Sequence, residues 1–232
     1  MMFGTAASFT TALRQQVAAH VQNLAPPDPK VWPLDLMVAF PALDGRNGLG
    51  KYRDLGQIAV EMLPGPAARV RYPGWPIPYL YIDPLVNGYD PAFRREILAT
   101  VLPAAEHGAV LSGQAVDHVF PREQAKRDGI GFVLLLPCAR GVNSAHGGGI
   151  ERRMTGQEKR EAKVYRADWT TLIKMGGLAP PSIAQGADLR AQAANLTREL
   201  SQVYPQTVGN TEATRDSVAS YLRIVQTGHW GA

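Results

Sequence analysis

Residues 108–147 read GAVLSGQAVDHVFPREQAKRDGIGFVLLLPCARGVNSAHG, and the fold turns on how this stretch divides. Gly108 to Phe120 and Gly129 to Pro137 are rich in apolar and β-branched residues and read as two strands. The polar, charged residues between them read as a loop. After a turn flanked by glycine, Asn143 to Arg166 has the composition of a helix dense in charge. The order is therefore strand, loop, strand, helix.

Thr5 to Leu24 has Ala6, Phe9, Leu13, Val17 and Val21 at helical spacing, and Pro26-Pro27 stops it. Trp32 to Phe40 is a short strand-like run. A helix is expected from Tyr52 to Leu63, a short strand at Ala68 to Tyr72, and another strand at Pro78 to Asp83. Pro91 to Leu102 is a helix with proline in its first turn. Downstream, Ala187 to Val203 and Glu212 to Thr227 read as helices. The expected fold class is α+β, in three regions. Residues 1–107 form helices and short strands, residues 108–166 a central strand–strand–helix module, and residues 167–232 a helical region.

Composition narrows the function classes. The chain has 232 residues, 45% hydrophobic, enough for a sizeable core. It has no apolar run of the roughly 20 residues needed to span a bilayer. A single cysteine, Cys138, excludes an internal disulfide and a zinc site built on several cysteines. The first residues lack a basic segment followed by a compact apolar one, so a cleaved signal peptide is not expected. A cytoplasmic protein is the default, and an effector exported without a signal peptide has the same composition. The net charge is +4 with an isoelectric point near 9.3, mildly basic and compatible with an anionic partner.

The chemistry-bearing cluster is Asp117-His118 at the end of one strand, with Asn143 and His146 at the start of the following helix. Asp and Asn offer hard oxygen ligands to a Mg²⁺-like ion. A neutral imidazole beside that ion can take the proton of an attacking water. Successive strand residues point to opposite faces, so Asp117 and His118 share a site only where the strand ends or is irregular. Pro121 makes such an ending reasonable. The bland account is also open: Asp117 capping a turn, His118 a satisfied loop histidine, Asn143 a helix N-cap.

The segments V-D-H-V-F-P-R, G-F-V-L-L-L-P and V-N-S-A-H-G, in this order and with 24 residues between His118 and Asn143, resemble the HNH (ββα-metal) nuclease family. The resemblance covers Val116 to Arg166. It implies a ββα-metal module and hydrolysis of phosphodiester bonds with one Mg²⁺, Mn²⁺ or similar ion, DNA being favoured over RNA as substrate. His118 is then the general base, Asp117 and Asn143 are metal ligands, and His146 is a further ligand or a phosphate contact. Two features depart from the family. The asparagine usual in or before the second strand has only Gly129 and Gly131 as counterparts. The paired cysteines that hold structural zinc in many members are missing, so no structural zinc is expected.

Charge follows the module. Asp117 to Arg166 holds ten basic and six acidic residues, an excess equal to the net charge of the whole chain. Arg122, Arg140, Arg152, Arg153, Lys159, Arg160 and Lys163 are the expected phosphate contacts. Restriction or phage defence, phage DNA processing and a toxin with an immunity-protein partner all suit such an enzyme. The competing class is a non-catalytic nucleic-acid-binding or interaction protein that keeps the scaffold. A second motif, Gly45 to Lys51, fits GxxxxGK, but Tyr52 stands where a P-loop needs Ser or Thr, and a glycine-rich turn is the better reading. Tyr72, Trp75, Tyr79 and Tyr81 are suited to stacking on bases and equally to core packing.

Overall fold

Thr5 opens the first helix, α1 (Ala6–Ala19), by a reciprocal cap in which its hydroxyl accepts the Ser8 amide and the Ser8 hydroxyl accepts the Thr5 amide. The structure is a computed structural model and describes residues 2–20, 36–42, 49–54, 58–147, 165–179, 186–205 and 207–227. Phe9, Leu13 and Val17 lie on the buried face of α1, as their spacing predicts. The helix ends at His20, whose carbonyl accepts the Leu36 amide just before β1 (Met37–Phe40).

The helix expected over Tyr52 to Leu63 is not formed. A short helix, α2 (Gly50–Asp54), is followed by a strand, β2 (Ala59–Leu63), paired along its length with β3 (Ala67–Arg71). Ala59, Glu61, Met62 and Leu63 have helix-forming side chains. The tight turn at Gly65 instead returns the chain on itself, and a complete ladder to β3 outweighs that weak preference. β4 (Tyr79–Ile82) follows, then a helical segment running through α3 (Tyr89–Phe93), a π-helical turn at Arg94–Leu98 and α4 (Ala99–Val101).

The decisive stretch divides more finely than its composition suggests. Gly108 to Phe120 is not one strand: α5 (His107–Leu111) precedes β5 (Gln114–His118). The supposed loop contains α6 (Arg122–Asp128), which ends at Gly129 in the left-handed region, φ 71°. β6 (Phe132–Ala139) leads directly into α7 (Arg140–His146), three residues earlier than expected. Residues 148–164, within the expected helix, lie outside the described residues. Tyr165 and Arg166 do not end a helix: they form β7 (Tyr165–Arg166), paired with β1. The C-terminal helices are α8 (Trp169–Met175), α9 (Leu189–Val203) and α10 (Glu212–Thr227), the last two close to expectation.

All described strand pairings are antiparallel, in the order β2-β3-β4-β6-β1-β7 with β5 also on β6. The protein is thus α+β. Val133 of β6 faces Ala39 of β1 and Ile82 of β4, whereas Leu135 faces Leu80 of β4 and His118 of β5. β1 and β5 therefore follow one another along the same side of β6. The first half of β6 completes the main sheet, and its second half forms the β5–β6 hairpin.

Pro137 sits inside β6 opposite Val116. The Val116 amide turns away from β6 and donates to the Asp90 carboxylate at 3.2 Å, so this pair does not exchange ladder bonds and the missing proline N–H costs nothing. One apolar core runs from Phe9 in α1 to Val225 in α10. Among the described residues, no helix is long and apolar enough to cross a membrane.

Candidate functional site

β5 and α7 position the four residues singled out by the sequence. Asp117 and His118 are the last two residues of β5, registered against Leu136 and Leu135. Asn143 and His146 are three apart on α7, hence on one side of a helix that packs on both strands of the hairpin. Ala139 takes the N-cap position, so Asn143 lies within the helix instead of capping it, and its side chain is half-buried.

Strand alternation separates Asp117 from His118. The His118 ring is buried edge-to-face against Tyr89 of α3, 4.4 Å between centroids. The Asp117 carboxylate receives the Lys174 ammonium of α8 at 2.6 Å, and the same ammonium donates to the His118 carbonyl at 3.3 Å. α7 and α8 pack against each other, which brings His146 to the side of the hairpin where Lys174 lies. Lys174 is thus the group that ties the pair together, and no sequence motif points to it. It stands 57 residues beyond Asp117, within the apolar run WTTLIKM, and nothing local marks its partner.

Both imidazoles are neutral at pH 7. Burial pushes His118 down to about 4, opposed by the charge of Asp117 and reinforced by Arg122, Lys174 and Lys126. Burial likewise pushes His146 down to about 4, against the pull of a hydrogen bond to the Leu178 carbonyl. That carbonyl can only accept, so Nε2 of His146 carries the hydrogen and donates across 3.3 Å. Its Nδ1 keeps a lone pair and, like Nε2 of His118, is buried with no hydrogen-bond partner.

A carboxylate, an amide oxygen and an unprotonated imidazole nitrogen suit a divalent ion by their chemistry, and the bare Nδ1 of His146 is the atom that asks for a partner. Asp117, Asn143 and His146 would hold such an ion. Among the described residues, no three His, Cys, Asp or Glu side chains are already gathered as ligands, and the cation on Asp117 is the Lys174 ammonium.

The expected phosphate contacts divide. Arg122 is half-buried and its guanidinium donates to the Pro84 carbonyl at 2.6 Å and to Asn87 Oδ1 at 2.9 Å, while lying over the Tyr89 ring. It braces the segment that covers His118. Arg140 is exposed at the start of α7. Arg152, Arg153, Lys159, Arg160 and Lys163 lie outside the described residues, as do residues 45–48 of the glycine-rich motif.

Gly129 and Gly131, which stand where the resemblance would place an asparagine, have structural roles of their own. Gly129 closes α6 with positive φ, and a Cβ at Gly131 would stand 2.5 Å from the Pro41 carbonyl oxygen. Tyr72, Tyr79 and Tyr81 are buried, the first two against His20, and Tyr81 donates to the Met37 carbonyl at 2.7 Å. They serve the core. No family model, no curated protein and no solved structure matches this chain.

Proposed function

We propose that this protein is a metal-dependent endonuclease of the ββα-metal type, hydrolysing phosphodiester bonds in nucleic acid, DNA in preference to RNA. The observation that carries the reading is the succession of β5, β6 and α7. Asp117-His118 closes the first strand, and Asn143 and His146 stand on the helix that packs back on the hairpin. Asp117 and Asn143 supply oxygen ligands for one Mg²⁺ or Mn²⁺ ion, with His146 completing or flanking the set. The bound ion would supply charge stabilisation for the crowded phosphate and the leaving oxygen.

His118 is the proposed base, and because its ring lies on the opposite face of β5 from the Asp117 carboxylate, the end of that strand has to turn before base and ion can act on one phosphate. It is already neutral, so no fraction is lost to protonation at pH 7. An incoming phosphate, an anion, raises the proton affinity of a neighbouring imidazole and so strengthens the base when substrate arrives. Substrate has to reach a ring that Tyr89 now covers, and Tyr89 with its Arg122 brace is the group that must give way. Arg140 and the basic residues of 152–163 are the proposed phosphate contacts.

A specific observation favours a second reading: the carboxylate of Asp117 is already neutralised by Lys174, as suits a non-catalytic nucleic-acid-binding protein that keeps the scaffold. Plasmid nicking with Mg²⁺, Mn²⁺ or excess EDTA separates the two. The expected result is metal-dependent nicking, abolished in His118→Ala, with DNA binding and the circular-dichroism spectrum retained. Full activity in that variant, or in EDTA, overturns the mechanism.

A further inference from the structure

We infer that Lys174 is the resident counter-ion of Asp117, and that a divalent ion can load at Asp117 only by taking the place of this ammonium. Lys174 then sets the metal concentration at which the site fills. The inference rests on the proposed metal-ligand role of Asp117 and adds to it a positioning residue from outside the strand–strand–helix segment.

The geometry is that of a fixed internal cation. Lys174 is buried, its side chain 5% exposed, and the facing Asp117 side chain is 22% exposed, so solvent can reach the carboxylate more readily than the ammonium. The helix that carries Lys174 is held at several points. Asp168 accepts the Thr171 amide at its start, Trp169 Nε1 donates to Ser217, and the Tyr204 hydroxyl donates to the Leu172 carbonyl. The ammonium therefore reaches Asp117 from a rigid support and not by a loose surface arm.

An ammonium and a divalent ion cannot share one carboxylate without strong repulsion, which the buried surroundings screen poorly. The ammonium in turn resists leaving, since drawing a buried charge away from its carboxylate is costly. Among the described residues, the His118 carbonyl also accepts from Lys174, at 3.3 Å, and can keep hold of the ammonium when the carboxylate turns to a metal. Metal and lysine are therefore antagonists at Asp117, and removing the lysine's charge should tighten metal binding. A merely structural ion pair predicts the opposite, because its loss loosens the site.

Mn²⁺ binding to the full chain, read by electron paramagnetic resonance of the free ion, tests this. Lys174→Met should bind Mn²⁺ about tenfold tighter than wild type or more, on the scale of ordinary coupling between sites. Lys174→Arg should bind no tighter than wild type, and adding Asp117→Asn to Lys174→Met should abolish the gain. A folded Lys174→Met with Mn²⁺ affinity equal to or below wild type overturns the inference. If that variant is unfolded without metal, recovery of its thermal transition by millimolar Mn²⁺ supports the inference and failure to recover overturns it.

The nuclease reading fails separately. An Asp117-dependent Mn²⁺ site that tightens in Lys174→Met, in a protein that nicks no plasmid, keeps the lysine's role and removes the activity. Metal-dependent nicking that needs His118, with no tightening in Lys174→Met, keeps the activity and removes the lysine's role.

Discussion

Asp117 and His118 are neighbours in sequence with different surroundings, and the difference is the work of strand alternation. One meets a buried ammonium, the other an aromatic ring. The energetic consequence is direct. Asp117→Ala takes its carboxylate away from the buried Lys174 ammonium and should destabilise the metal-free protein by about 3 kcal/mol. Replacing both partners together, as Asp117→Ala with Lys174→Met, should cost clearly less than the sum of the single changes, because the buried ammonium goes together with the carboxylate it pairs with. Urea unfolding of the four proteins measures this coupling, and strict additivity would show that the two groups do not interact in solution.

At the scale of elements, the β5–β6 hairpin depends on backbone geometry that side-chain patterns do not report. Gly131 is the sharpest case. Its place at the start of β6 brings its Cα against the Pro41 backbone, where a methyl group would lie 2.5 Å from the carbonyl oxygen. Gly131→Ala must push apart β1 and β6 and should cost about 1–3 kcal/mol. Gly129→Ala meets no neighbour but forces an L-residue into the left-handed region, and should cost about 1–2 kcal/mol. Thermal denaturation ranks the two, and an unperturbed Gly131→Ala would mean that β1 does not approach β6 as described. The same scale explains why β2 is a strand and not a helix. Its residues favour a helix when taken singly, and only the β3 ladder makes them a strand.

For the whole molecule, His118 and His146 couple stability to pH. His118 and His146 take up a proton at about 4 in the folded chain and near the ordinary 6.5 when unfolded. Between those values the unfolded state binds more protons. Stability is therefore complete above about pH 6.5 and is lost as pH falls toward 4, by up to roughly 3 kcal/mol for each histidine. Urea midpoints from about pH 7 down to pH 4.5 should fall, and a His118→Leu, His146→Leu variant should fall less over the same interval. Equal pH sensitivity in the two proteins would remove the histidines as its cause. The continuous core argues that this loss is felt globally, since α8 and the hairpin that flank His146 join α9 and α10 in one packed unit.

Local sequence determined what depends on near neighbours. The faces of α1, the span of α10, the strands at 79–82 and 132–139, and the order of hairpin and helix around Asp117, His118, Asn143 and His146 were legible because periodicity and turn residues report on a few adjacent positions. The α+β class followed from that order. Tertiary structure decided what depends on meetings across the chain: β2 as a strand, the division of residues 107–118, the pairing of β7 with β1, and above all the charge that faces Asp117. An ion pair between residues 57 positions apart leaves no periodic trace in either segment. It exists only because α8 packs on β6, the strand to which β5 is paired.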